Sequence, residues 1–130
     1  MKILQLILRK EPFDEILSGE KKNEVRELRP NAYCSRYIVY KCDDGKTYKT
    51  ADQMPEGLEG DPVVVEYDAI QFYHGYETDR RGMLVEVKDA QIFLITDDND
   101  ENIILEENGK EYYQAEIEYS LGKILNKTNC

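Results

Sequence analysis

Apolar and polar positions change their period several times along this chain, and each change marks an expected element. Ile3–Arg9 (ILQLILR) is a β-branched and leucine-rich run that reads as a first strand. Over Glu11–Ser18 (EPFDEILS) the period lengthens: Phe13, Ile16 and Leu17 stand at i, i+3 and i+4, one face of a short helix packed on a core. Pro12 suits the first helical position, Glu11, Asp14 and Glu15 suit the positive end of the helix dipole, and Gly19 suits the C-cap. Lys21–Arg29 (KKNEVRELR) then alternates charges with few apolar groups, the pattern of a strand with one face against something polar.

Further along, Pro30–Ser35 reads as a connection and Arg36–Cys42 (RYIVYKC) as a strand. Asp43–Gly45 is a turn signal, with Lys46–Thr50 pairing back as the second arm of a hairpin. Ala51–Pro62, with two prolines and two glycines, is expected to be a loop. Val63–Tyr76 is strongly β, Thr78–Gly82 is a polar turn, and Met83–Thr96 is another β run with a break near Lys88–Asp89. Asp97–Asn102 is a solvated acidic loop without the glycine and terminal glutamate of a calcium loop. Ile103–Leu105 makes a short strand, Asn108–Gly109 a turn, and Glu111–Leu125, with alternating Tyr113, Ala115, Ile117 and Tyr119, the last strand. Asn126–Cys130 is expected to fray.

One short helix and six or more strands predict a mostly β, α+β fold, organised as a single domain over residues 1–125. In so small a chain, the need to cover strand edges favours a closed β-barrel. No run of about 18 apolar residues is present, so no membrane span is expected. The first residues lack the long apolar region and cleavage site of a signal peptide, so a cytoplasmic location is expected. Cys34, Cys42 and Cys130 are odd in number and supply no close ligand pair, so they read as free thiols, with no metal and no cofactor expected.

Charge divides the chain. Residues 1–50 carry 11 Lys/Arg against 8 Asp/Glu, a net +3, and residues 51–130 carry 6 against 19, a net −13. With a net charge of −10, the protein is not one that coats nucleic acid through bulk charge. An anionic ligand requires a local positive pocket. The acidic second part serves solubility, or forms a surface for a protein partner.

The candidate chemistry starts from the charged strand. Period two puts Lys22, Glu24 and Arg26 on one face, with Lys21 at the helix–strand junction. A carboxylate beside two cations is held ionised, and such a group can both donate and accept hydrogen bonds. The same spacing also describes a solvated face with surface ion pairs. Tyr76 can stack on a base, and Arg80 and Arg81 can reach a phosphate. Barrel packing and a charged turn tip account for the same residues. His74, the single histidine, reads equally as an acid–base group or as loop packing.

Two blocks of residues resemble a known family. Phe13-Asp14-Glu15-Ile16-Leu17-Ser18-Gly19-Glu20-Lys21-Lys22-Asn23-Glu24-Val25-Arg26 is similar to the ASCH signature, in which an apolar helix precedes I-x-x-G-x-K-x-x-E-x-R. Tyr67–Tyr76, followed by Arg80-Arg81 and Leu84-Val85-Glu86-Val87, resembles that family's central strand, Gly-Tyr loop and VEV strand. The resemblance implies a PUA-like β-barrel with a cleft between the first helix and the barrel, and RNA, a nucleotide or a modified nucleoside as ligand. It implies a binding set of Lys21, Glu24, Arg26, Tyr76, Arg80 and Arg81. Some small bacterial members hydrolyse N4-acetylcytidine with a lysine, a threonine and a glutamate. The lysine corresponds to Lys21 and the glutamate to Glu86, whereas the threonine position is Glu24 here, so the candidate catalytic set is Lys21, Glu24 and Glu86, and the resemblance leaves hydrolysis open.

Overall fold

The computed structural model describes residues 1–130. The elements run β1 (Ile3–Leu8), α1 (Lys10–Ser18), β2 (Asn23–Leu28), β3 (Ile38–Cys42), β4 (Thr47–Tyr48), β5 (Gly60–Val64), β6 (Ala69–His74), β7 (Gly82–Leu94), β8 (Ile104–Glu107), β9 (Lys110–Tyr113) and β10 (Ala115–Thr128), with short 3-10 turns at Ala32–Arg36 and Ala51–Gln53. The fold is mostly β with one α-helix, as the periodicity predicts. The strands form a five-stranded sheet ordered β1-β6-β7-β10-β2, a three-stranded sheet β4-β3-β5, and the hairpin β8-β9. The large sheet is open, with β1 and β2 as its edges, rather than the expected closed barrel. No helix is long and apolar enough to cross a membrane.

The chain divides into two compact units, residues 1–24, 66–90 and 119–130 in the first and 25–65 and 91–118 in the second. In the first unit, β1 alternates exposed and buried positions, and Leu4, Leu6 and Leu8 turn inward. It pairs in parallel with β6, setting Leu4 beside Ile70 and Leu6 beside Phe72. The antiparallel partner β7 adds Val85 opposite Ile70 and Met83 opposite Phe72. Phe13 and Ile16 of α1 complete this core. Each such side chain contributes roughly 1.5–3 kcal/mol by burial. The helix stops because Gly19 adopts φ 86 and donates its N–H to the Ile16 carbonyl, a left-handed cap that suits glycine. Lys21 N–H then closes on the Glu15 carbonyl at 3.0 Å, satisfying a second helix-end acceptor.

In the second unit, β3 pairs antiparallel with β4 and β5. The Asn31 side chain caps the first 3-10 turn by accepting from Cys34 N–H. Cys34, Tyr37, Ile38, Cys42 and Ile117 are buried. The β8–β9 hairpin turns through Asn108 and Gly109 at φ 52 and 80, the geometry that the Asn-Gly pair predicts.

Several boundaries differ from expectation. The run Val63–Tyr76 is two strands, interrupted where the Asp68 carboxylate accepts from Lys2 N–H at 2.6 Å and Asp68 N–H donates back to the Lys2 carbonyl. The expected loop 51–62 contains the start of β5, with Pro62 placed in that strand. Strand β7 runs unbroken through Lys88–Asp89, which are simply exposed. Residues 126–130, expected to fray, are tied down. β10 continues to Thr128, and the Asn129 amide donates to the Asp79 and Arg80 carbonyls at 3.2 and 3.3 Å.

Candidate ligand-binding site

The loop joining β6 to β7 carries the most built group of charged and aromatic residues in the first unit. It turns at Gly75, which adopts φ 75, and returns at Arg80-Arg81. Because successive residues near a strand point to opposite faces, the arginine doublet splits. Arg81 turns toward α1, where its guanidinium donates to Asp14 Oδ1 at 2.8 Å and lies 4.6 Å from the Phe13 ring centroid. A second Arg81 nitrogen lies 3.3 Å from His74 Nδ1. An arginine can only donate, so Nδ1 is the acceptor and the neutral imidazole carries its proton on Nε2. Phe13 and His74 are themselves in ring contact at 5.9 Å.

Arg80 turns the other way and lies 3.8 Å from the Tyr73 ring centroid, with Nη1 donating to the Gly75 carbonyl at 3.2 Å. A half-exposed cation–π contact of this kind is worth about 0.5–1 kcal/mol. Together His74, Gly75, Tyr76, Glu77, Asp79, Arg80 and Arg81 line a surface pocket of about 340 Å³. Tyr76 is 84% exposed at its rim. The Arg81 guanidinium holds the Asp14 carboxyl below the usual carboxylate range, outweighing desolvation, with Lys10 at 3.4 Å acting in the same sense.

The other sequence-selected residues lie elsewhere. Lys21, placed by the Gly19 turn, lines a second pocket of about 150 Å³ with the last turn of α1, Val85, Leu121, Gly122 and Ile124. Arg81 is anchored on Phe13 and Asp14, whereas Lys21 lies beyond the helix's last residue, so the two cations serve different pockets. Glu86 stands opposite Ala69 in the β6–β7 ladder. Glu86 follows Val85, which lines the Lys21 pocket, and its side chain packs over Gly122, another residue of that lining.

Glu24 is 5% exposed, the buried charged residue of the first unit. Burying a carboxylate requires compensating partners, and at that depth Glu24 is not offered to solvent. Arg26, in the second unit, is half-buried. Burial pushes the Tyr37 phenol up, and the Arg26 and Arg36 charges act against that rise. Within β2 the pattern is inverted relative to an ordinary strand: Glu24 and Leu28 are buried and Arg26 half-buried, while Val25 is 39% exposed. No group of three or more His, Cys, Asp or Glu side chains is positioned to hold a metal ion.

Sequence reading selects Tyr76, Arg80 and Arg81 but misses what arranges them. Asp14 is read only as a helix-dipole residue and Phe13 only as core. The Asp14–Arg81 pair spans 67 positions, and no local pattern announces it.

No family model matches the chain, and neither a curated protein nor a solved structure matches it.

Proposed function

We propose that this chain is a PUA-like, ASCH-type binding domain that takes a nucleotide or an RNA-derived group at the β6–β7 loop. The observation that carries the proposal is the pocket at residues 74–81, where an exposed tyrosine stands beside an arginine whose guanidinium is already oriented over a ring. Tyr76 supplies a flat face on which a base stacks, and Arg80 supplies the cation for a phosphate. Arg81, held by Asp14 and His74, fixes the loop rather than meeting the ligand. Glu77 and Asp79 balance the two arginines of the lining, and Arg81 is already paired with Asp14, so the cation offered to an anion is Arg80. The resemblance of residues 13–26 and 67–87 to the ASCH pattern supports the same ligand class. Hydrolysis of an acylated cytidine is not part of the proposal, since Glu24 stands where the hydrolytic members carry a threonine.

Equilibrium titration of the full chain, followed by tyrosine fluorescence, against cytidine monophosphate, uridine monophosphate and a short single-stranded RNA tests this reading. Saturable quenching is expected, weakened about tenfold or more by Tyr76→Ala, since base stacking is worth roughly 1–3 kcal/mol. Arg80→Gln should flatten the salt dependence. Binding that is absent, or indifferent to both substitutions, overturns the proposal.

A further inference from the structure

We infer that the outer face of the β8–β9 hairpin is a docking surface for an extended protein segment that carries a basic and an apolar side chain two residues apart. This surface belongs to the second unit and is independent of the nucleotide site. The register sets Ile104 opposite Tyr113 and Glu106 opposite Glu111. Strand alternation places these four side chains on one face. Ile104 is 58% and Tyr113 55% exposed.

The two faces of the hairpin treat charge differently. On the inner side, Glu107 lies 3.6 Å from Arg29 and Lys110 pairs with Asp52. On the outer side, Glu106 and Glu111 face each other with no counter-ion. Like charges directly opposite one another in an antiparallel pair are destabilising. An exposed apolar pair beside an uncompensated acidic pair also leaves apolar area in water. One occupant relieves both: a lysine or arginine placed between the carboxylates, with an apolar side chain two residues away against Ile104 and Tyr113. The spacing between the two cross-strand pairs is that of i and i+2 in an extended strand. Net charge selects against a second copy of this acidic chain and against nucleic acid.

The test uses the full chain and a blocked synthetic peptide of Lys-Ser-Val-Ser repeats, which in an extended strand sets lysine and valine alternately along one face, with a Glu-Ser-Val-Ser peptide as control. Amide resonances of residues 103–114 are expected to shift with the basic peptide and not with the acidic one. Glu106→Gln/Glu111→Gln should weaken binding about tenfold, and an Asp97→Asn/Asp98→Asn variant should leave it unchanged. Independently of any peptide, Glu111→Lys should raise Tm by converting the repulsive pair into an attractive one. The inference is overturned if the peptide shifts only the 97–101 loop, if the double variant binds as tightly as the parent, if RNA shifts residues 103–114, if self-association lost on Ile104→Ser accounts for the face, or if Glu111→Lys lowers Tm while the hairpin remains paired.

Discussion

The β6–β7 loop and the β8–β9 hairpin are both two-strand turns rich in charge and tyrosine, yet they handle those groups in opposite ways. In the loop, Arg81 is held by Asp14, His74 and Phe13, and Arg80 lies over Tyr73. In the hairpin, the outer carboxylates of Glu106 and Glu111 oppose each other across the ladder. The first arrangement is orientation in advance, which reduces the ordering that a ligand must impose. The second keeps a strained surface open to solvent, and a partner of opposite charge relaxes it. The difference teaches that exposed charge alone identifies neither site. What matters is whether each charged group already has its partner.

The largest way to break this comparison is Phe13→Ala. Phe13 is fully buried and lies under both the Arg81 guanidinium and the His74 ring. Removing it should destabilise the protein by about 3–5 kcal/mol, read by urea denaturation, and disperse the loop's resonances while the hairpin's remain. Next is Gly122→Ala. A methyl group there meets the carboxylate end of the half-exposed Glu86 side chain, which can swing aside, so the cost should be at the low end for overpacking, about 1 kcal/mol. Adding Glu86→Ala should restore most of it. If the single variant is neutral, Glu86 is not packed where the β7 register places it.

Arg81→Met is expected to have a smaller effect on stability. Its side chain is 27% exposed and that of Asp14 is 40% exposed, so solvent screens the pair. A small loss of stability is expected, together with weaker nucleotide binding through disorder of the loop. The pH profile sharpens this. Asp14 in the folded protein titrates below its unfolded value. Its stabilising contribution is therefore complete above the unfolded carboxylate range, near pH 4, and is lost as pH falls through the lower folded value. Asp14→Asn should remove that acid-side slope. A parent and variant with parallel stability profiles below about pH 4 would mean that the pair does not form in solution.

The smallest effect concerns hydrolysis. N4-acetylcytidine should show no turnover, because Glu24 in the threonine's place is buried and carries no hydroxyl, and Lys21→Ala should leave nucleotide binding unchanged, because Lys21 lines the other pocket.

These regions also differ in how far they could be read from residue order. The loop was legible because Tyr76, Arg80 and Arg81 are neighbours in the chain, and the helix because Phe13, Ile16 and Gly19 mark its face and its end. The inward charges of β2 were legible too, since Glu24 and Arg26 keep the period-two spacing, although the burial of Glu24 was not. What remained hidden depends on partners distant in sequence. Asp68 breaks the long β run by bonding to Lys2, and Asp14 meets Arg81 across the fold. The Glu106–Glu111 opposition follows from the hairpin register, and the Asn-Gly turn that sets it had been recognised without the pairing that it implies.

The most direct measurement is an amide-resonance map of the full chain titrated with cytidine monophosphate. The account predicts saturable shifts concentrated at residues 73–82 and at Phe13–Asp14, with residues 104–113 unmoved. Shifts centred instead on Lys21 and the end of α1, or no shifts at millimolar nucleotide, would contradict it.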